Sequence, residues 1–294
     1  MVDKTELIKD VRKVELKTRK LVNGLIQGQY YSCFKGRGIE FSEVREYTKN
    51  DDARSIDWNV TARVGKPYIK EFIEERNLDV FIIYDASGSI EFGSENLHKK
   101  RIAMELIASI VFSANKNNDN AGLFIVTEEI EKKIPLRKGK RHMLRILHEV
   151  SLFVGKKKTT DLRAVFEEIG RIVKRKSLMF IISDFMDDFD TIEKPLKQLN
   201  KKHDVIAVHL YDQRETEIPD VGLIELEDEE SGEQILVDTS SEEFRKKYAE
   251  LVASRKKEFK KMMNRCKIDI IDINTKYGWL KPIIGFFKKR GGRR

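Results

Sequence analysis

With 294 residues, of which 40% are hydrophobic, the chain can form one large α/β domain or one domain with an extension, and its composition argues against extended disorder. Its two cysteines, Cys33 and Cys266, are too few for a disulfide framework, which favours a reduced, cytoplasmic setting. No apolar run approaches the ~20 residues of a membrane-spanning helix, and the charged N-terminus leads us to expect no signal peptide.

Positive charge is concentrated at the C-terminal end of the chain. The formal net charge is +8 at pH 7, and residues 276–294 contain seven Lys/Arg and no acidic residue. The rest of the chain therefore carries a charge of only +1. A nearly neutral body gives little support for nucleic-acid binding through the folded domain, so no specific nucleic acid is expected as a partner.

Residues 1–76 are predicted to form an N-terminal extension. Apolar residues at helical spacing predict one amphipathic helix over residues 5–27, which either packs on the core or docks onto a partner. Residues 30–63 are polar, with scattered aromatic side chains and many charges. The mixed alternation of residues 68–75 then predicts a strand.

Residues 77–275 are predicted to form the main domain. Strands are predicted at residues 78–84, 121–127, 178–183, 204–211 and 267–273. Helices are predicted near residues 95–116, 141–153, 161–175, 190–201 and 242–264. Short apolar strands that alternate with amphipathic helices indicate parallel βαβ units in a doubly wound, mostly parallel α/β sheet flanked by helices. Turn residues within 216–238 predict a hairpin excursion from this scheme.

Side chains that carry oxygen follow several of the predicted strands. Asp85, Ser87 and Ser89 form a D-x-S-x-S pattern after the first strand, and Asp184 follows the strand that ends at Ser183. Thr160 lies between these loops and just before a helix, where Thr159 could take its place and either Thr160 or Asp161 could be the helix cap. Ligands bind outside the carboxyl ends of strands in open α/β sheets. Oxygen donors of this kind suit a hard divalent cation such as Mg²⁺.

In order and spacing, these loops resemble the metal-ion-dependent adhesion site of von Willebrand factor A-type domains. The preceding GRGIEFSEVREYTKNDDARSIDWNVTAR at residues 36–63, followed by EFIEER and YDASGSIEFGS, resembles a bacterial family called domain of unknown function 58. This resemblance covers the whole chain. Asn50 stands where the family usually has glycine, and Ile90 where it often has methionine. Neither position donates a metal ligand.

The resemblance implies a von Willebrand factor A-like fold that binds a divalent cation, Mg²⁺ or alternatively Mn²⁺. The implied metal ligands are Asp85, Ser87, Ser89, Thr160 and Asp184. An Asp or Glu of a partner would complete the shell of the cation. Family members are commonly encoded beside MoxR-type AAA+ ATPases, which implies that such an ATPase or its client is the partner. The implied function is that of a non-enzymatic adaptor or co-chaperone.

The serine and aspartate residues of these loops also allow other interpretations. Ser87 and Ser89 could be ordinary turn residues. Asp187, Asp188 and Asp190 could supply acidic groups to a metal-dependent hydrolase that uses the Asp184–Asp190 loop, or they could form a solvated loop that leads into a helix.

The signature of the N-terminal extension also allows two interpretations. Its charged and aromatic residues either tie the extension to the domain or form part of a partner surface. They are Arg37, Arg45, Arg54, Asp57 and Trp58.

The basic tail, residues 276–294, combines aromatic with cationic side chains. Such a segment could rest on an anionic membrane surface, or it could pack its apolar side chains beneath the domain. Pro282 and Gly285 argue against a long regular helix there.

Overall fold

The structure is a computed structural model of the chain. It describes residues 30, 44–48, 51–70, 77–91, 99–155, 159–227 and 234–292. The helix predicted over residues 5–27 lies outside these residues, as does Arg37.

Strands and helices alternate along most of the described residues. The strands are β1 (Val44–Glu46), β2 (Tyr68–Lys70), β3 (Asp79–Asp85), β4 (Asn120–Val126), β5 (Ile130–Arg137), β6 (Leu178–Ser183), β7 (Asp204–Tyr211), β8 (Leu223–Glu227), β9 (Gln234–Asp238) and β10 (Asp269–Asn274). The helices are α1 (Trp58–Val64), α2 (Gly88–Glu91), α3 (Lys99–Lys116), α4 (Lys140–Leu152), α5 (Leu162–Ile172), α6 (Phe189–Lys202), α7 (Glu242–Cys266) and α8 (Leu280–Gly291).

A six-stranded sheet with the order β10-β7-β6-β3-β4-β5 forms the centre of the fold. Its neighbouring strands are parallel, except that β5 runs antiparallel to β4 at one edge. The chain leaves β3 towards β4 and β5, and then crosses to β6 on the other side of β3. The direction of winding therefore changes beside β3, which is where ligands bind in open α/β sheets.

Helices cover both faces of the sheet, because successive side chains of a buried strand point to opposite faces. Val80 and Ile82 of β3 belong to a core formed with α3, α4 and α8. Phe81 and Ile83 of the same strand belong to a second core formed with α5, α6 and α7. These three layers confirm the α/β, mostly parallel fold class predicted from the sequence.

Strand β5 was not expected from the sequence. Its charged residues give it no apolar run, and Ile134 is its buried side chain. Pro135 is compatible with this position, because an edge strand leaves one row of backbone groups without a strand partner. Strands β8 and β9 form an antiparallel pair within residues 216–238, where the sequence predicts a hairpin.

Residues 44–48 and 51–70 form a small unit that is held together by its own contacts. Strands β1 and β2 are antiparallel, and Arg45 binds Asp51 through two hydrogen bonds of 2.6 and 2.7 Å. These bonds, with those from Thr48, lower the pKa of Asp51. The Asp57 side chain caps α1, whereas Trp58 is 70% exposed. Arg45 and Asp57 therefore organise this unit, and Trp58 faces solvent.

The tail forms the regular helix α8, contrary to the expectation from Pro282 and Gly285. Pro282 lies in the first turn, where backbone N–H groups have no partner within the helix, so its missing N–H costs little. Trp279, Ile283 and Phe287 are buried in the core. These apolar side chains pack on the domain and are not available to a membrane surface. Among the described residues, no helix has the length and apolar character that crossing a bilayer requires.

Replacing Gly122 of β4 with alanine is expected to lower the free energy of unfolding by about 1–3 kcal/mol. A Cβ at this position would lie 2.7 Å from Cε1 of Phe81 and 3.1 Å from the carbonyl oxygen of Ile134. Urea denaturation would measure the loss. Gly170→Ala in α5 is the control, because its Cβ would meet only Leu199 at an ordinary 3.7 Å. Equal stability of the two variants would contradict this account of the packing.

Candidate metal centre

The first loop of the candidate centre begins where β3 ends. Asp85 is 2% exposed and accepts two hydrogen bonds, from the backbone N–H of Ser87 (3.1 Å) and from the hydroxyl of Ser183 (2.7 Å). The hydroxyl oxygens of Ser87 and Ser89 are 3.1 Å apart. The structure thus brings the three residues of the D-x-S-x-S pattern into one connected group.

The third loop follows β6, which is the parallel neighbour of β3. Ser183 joins the two loops, because its hydroxyl donates to Asp85 and accepts from the backbone N–H of Phe185 (2.9 Å). Phe185 has a φ of 52°, a left-handed conformation that costs a non-glycine residue about 1–2 kcal/mol. Asp184 is therefore presented beside Asp85 by a loop that its surroundings hold in a strained shape.

Arg255 of α7 supports this strained loop from outside. Its Nη2 atom donates to the carbonyl oxygens of Phe185 (3.3 Å), Met186 (2.6 Å) and Asp187 (2.9 Å). The guanidinium also lies 4.6 Å from the centre of the Phe189 ring. Because the Arg255 guanidinium binds three consecutive carbonyl groups, it stabilises the backbone conformation directly after Asp184.

Thr160 of the second loop is half-buried and is positioned by its neighbours in the chain. The Asp161 side chain caps α5 by accepting from the N–H of Ala164 (3.0 Å), and the hydroxyl of Thr159 donates to Glu128. These bonds assign the helix cap to Asp161. Within the described residues, no hydrogen bond joins the Thr160 side chain to the other four predicted ligands, so its role as a ligand remains a prediction.

A buried lysine, which the sequence reasoning did not consider, lies against the candidate centre. The ammonium group of Lys99 is fully buried; it donates to Asp184 over 2.9 Å and forms an ion pair with Glu215. Burial by itself lowers the pKa of Lys99, but the two carboxylates raise it by more. Helical spacing could have revealed this residue, because Lys99 precedes the buried Ile102 and Ala103 by three and four positions.

Negative charge exceeds positive charge in this buried region. Burial, and then the nearby charge of Asp184, raise the pKa of Asp85 to about 7. Burial also raises the pKa of Glu215, although Lys99 opposes the shift. Asp184 and Glu215 therefore share the ammonium of Lys99, and Asp85 lies beside Asp184. Burial, and then the charge of Asp184, therefore keep Asp85 protonated to a higher pH than an exposed aspartate.

One interpretation of the sequence placed Asp187 in a solvated loop. In the structure this residue is not fully solvated. Its carboxylate accepts a hydrogen bond from the backbone N–H of Leu162 (3.2 Å) at the start of α5. Burial raises its pKa to about 6, and the charges of Asp161 and Asp184 add to this effect. Asp188 and Asp190 fit the solvated interpretation, because both are exposed at the start of α6.

The side chains of the first and third loops fit a hard divalent cation. Two carboxyl groups and two serine hydroxyls lie in these loops, and oxygen donors of this kind are the ones that such a cation prefers. Among the described residues, no three His, Cys, Asp or Glu side chains form a group that could hold a metal by themselves. A cation at this position would therefore depend on hydroxyl donors as well as on Asp85 and Asp184.

Comparison with known sequences identifies the relatives of the chain. The family model "Protein of unknown function DUF58" matches residues 43–258. The uncharacterized protein Rv1480 of Mycobacterium tuberculosis is 27% identical over 293 residues, which cover 98% of this chain and 91% of that protein. The uncharacterized protein YeaD of Bacillus subtilis is 25% identical over 142 residues, which cover 48% of this chain and 33% of that protein.

Comparison with solved structures finds similar chains at low sequence identity. The conserved hypothetical protein BatB from Bacteroides thetaiotaomicron has a TM-score of 0.48 and 16% identity, with 74% of this chain and 100% of that chain covered. The SpRpn10 VWA domain has a TM-score of 0.42 and 10% identity, with 72% of this chain and 95% of that chain covered.

Proposed function

Because this chain belongs to the family "Protein of unknown function DUF58", we propose that it is a metal-dependent protein-interaction module and not an enzyme. The observation that carries this proposal is the excess of buried negative charge at the carboxyl edge of the sheet. Asp85 lies there beside Asp184 with a pKa of about 7. Burying a carboxyl pair of this kind without a further cation costs free energy of folding. The pair therefore favours a binding site over a purely structural role.

Each residue of the candidate centre has a distinct part in this proposal. Asp85 and Asp184 supply negative charge, while Ser87, Ser89 and Thr160 supply neutral oxygen donors. Ser183 and Arg255 keep the two acidic loops in position. A bound Mg²⁺ or Mn²⁺ would supply an electrophilic site for an Asp or Glu side chain of the partner.

The proposed partner is a MoxR-type AAA+ ATPase or the client of such an ATPase. Support for this choice comes from the family resemblance alone. The chain would then act as an adaptor or co-chaperone that presents its carboxyl-edge face to an acidic residue of the partner.

Asp85→Asn is expected to reduce capture of a purified MoxR-type ATPase from the same organism at least about tenfold in Mg²⁺. The amide keeps the shape of the side chain but removes the charge that a cation needs. Biolayer interferometry in Mg²⁺ and in chelator would measure the change. Asp190→Asn, which changes an exposed aspartate at the start of α6, is the control and should bind normally. Binding that persists in chelator, or in the Asp85 variant, would reject metal-dependent capture.

A metal-dependent hydrolase is a second candidate, favoured by one observation. A carboxyl group with a pKa of about 6, such as Asp187, is suited to general acid–base catalysis near neutral pH. The purified protein would be incubated with phosphoester and peptide substrates in Mg²⁺. Turnover that Asp187→Asn abolishes would favour hydrolysis over the interaction module.

A further inference from the structure

A cavity of about 120 Å³ opens directly beside the candidate metal centre. Asp184 belongs to both, since it is a predicted metal ligand and also lines the cavity. Phe185 and Phe259 form the buried inner wall, with ring centres 5.1 Å apart. Met186, which also lines the cavity, is 52% exposed. The cavity, called the side-chain pocket from here on, is therefore largely apolar inside and accessible from the carboxyl-edge face.

Helix α7 contributes several residues to the lining of the side-chain pocket. Its buried residues begin at Phe259, whereas residues 242–258 of the same helix are not buried. Tyr248, Val252 and Lys256 follow one another at intervals of four residues, so they lie on the face that lines the pocket. The hydroxyl of Tyr248 donates to the carbonyl oxygen of Glu215 (3.0 Å), which fastens this part of α7 to the loop after β7.

We propose that the side-chain pocket receives an aliphatic side chain from an acidic segment of the partner, whose carboxylate binds at the candidate metal centre. The inference rests on the proposed function and specifies the chemistry of its partner. One surface would then recognise two features, a carboxylate and an adjacent apolar side chain of the size of leucine.

The size and lining of the pocket favour this occupant. An apolar cavity of about 150 Å³ holds one benzene molecule, so a pocket of this volume suits a single branched aliphatic side chain. The aromatic walls offer such a side chain apolar contact on several sides. The two acidic residues of the lining, Asp184 and Glu215, both form ion pairs with Lys99.

Charge complementarity favours an acidic segment around that side chain. Residues 251–261 of α7 contain five Lys/Arg and one Glu. Arg255 is exposed and Lys256 is half-buried, with its ammonium 4.3 Å from the centre of the Tyr211 ring. A partner segment that crosses this helix towards the metal centre therefore meets positive charge, which attracts carboxylates and disfavours basic segments.

The test uses short fluorescein-labelled peptides that contain one aspartate and one leucine, either adjacent or separated by serine, in both orders. Each has a counterpart with alanine in place of leucine. Fluorescence anisotropy with the full chain in Mg²⁺ is expected to show at least one leucine peptide binding about tenfold more tightly than its alanine counterpart. Val252→Phe, which fills the pocket, should remove this advantage. Leu251→Phe, on the exposed side of α7, should preserve it.

The outcomes separate this inference from the proposed function. Calorimetry with Mg²⁺ alone should give the same affinity for the unmodified chain and for Val252→Phe. If Mg²⁺ binds but leucine gives no advantage, or if Val252→Phe leaves the advantage intact, the side-chain pocket is not a recognition site. If no peptide binds while Mg²⁺ does, the inference is likewise overturned. If peptides bind equally well in chelator, the metal-dependent function itself is wrong.

Discussion

Replacing Lys99 with methionine is expected to lower the free energy of unfolding of the metal-free protein by about 3–5 kcal/mol. The substitution keeps the length of the side chain but leaves Asp184 and Glu215 buried without their shared ammonium. Removing one partner of a buried ion pair is costly because the remaining charge is neither solvated nor balanced. Denaturation with urea in chelator would measure the loss.

Two further variants identify the origin of that loss. Glu215→Gln in the Lys99→Met protein should recover part of the stability, because it removes one of the two unbalanced carboxylates. Lys100→Met is the matched control on the same helix; its ammonium is half-buried and donates to the carbonyl oxygen of Phe153 (3.1 Å). This control should lose only about 0.5–1.5 kcal/mol. Equal losses for Lys99→Met and Lys100→Met would show that the buried charge cluster is not stabilised as described.

The metal-free protein is expected to lose stability between about pH 4 and pH 7 through Asp85. In the folded chain Asp85 keeps its proton up to a pKa of about 7, whereas the unfolded chain releases it near the ordinary value of 3.8. Over this interval the folded state binds more protons, so raising the pH favours unfolding. The contribution of protonated Asp85 to the free energy of unfolding is complete below pH 4 and is lost by pH 7. About three pKa units correspond to at most about 4 kcal/mol.

Asp85→Asn isolates this effect from the other titrating groups. Asp187 contributes in the same direction, since its pKa is also raised, so the informative quantity is the difference in unfolding free energy between the unmodified chain and Asp85→Asn. That difference should change steadily from pH 4 to pH 7 and stay constant above pH 7. A difference that does not depend on pH would contradict the raised pKa of Asp85.

If the candidate centre binds Mg²⁺, the stabilisation of the folded protein by added Mg²⁺ should increase as the pH rises. Asp85 must lose its proton before it can serve a cation, so the apparent Mg²⁺ affinity should rise with pH up to about 7 and then level off. The midpoint of thermal unfolding, followed with and without Mg²⁺ at each pH, would reveal this dependence. Asp85→Asn should show no Mg²⁺ dependence at any pH.

The central fold was largely predictable from the sequence because its signals are local. Each apolar strand, such as those around Ile82 and Ile181, can be recognised from its own residues. The same holds for each amphipathic helix between them, because its apolar residues recur at helical spacing. Strand β5 was missed since an edge strand buries few side chains and has no such pattern. Helix α8 was missed because the contribution of Ile283 and Phe287 to the core depends on where the rest of the sheet lies.

The candidate site was likewise predictable from the sequence only in part. The sequence by itself determined which residues end the strands, and so placed Asp85, Ser87 and Ser89 on one loop and Asp184 on another. Only the tertiary structure decided what surrounds them: the buried Lys99 beside Asp184, and α7 with its cavity. These partners are far apart in sequence, and their pairing follows from burial and charge balance in the folded chain, which no local pattern encodes.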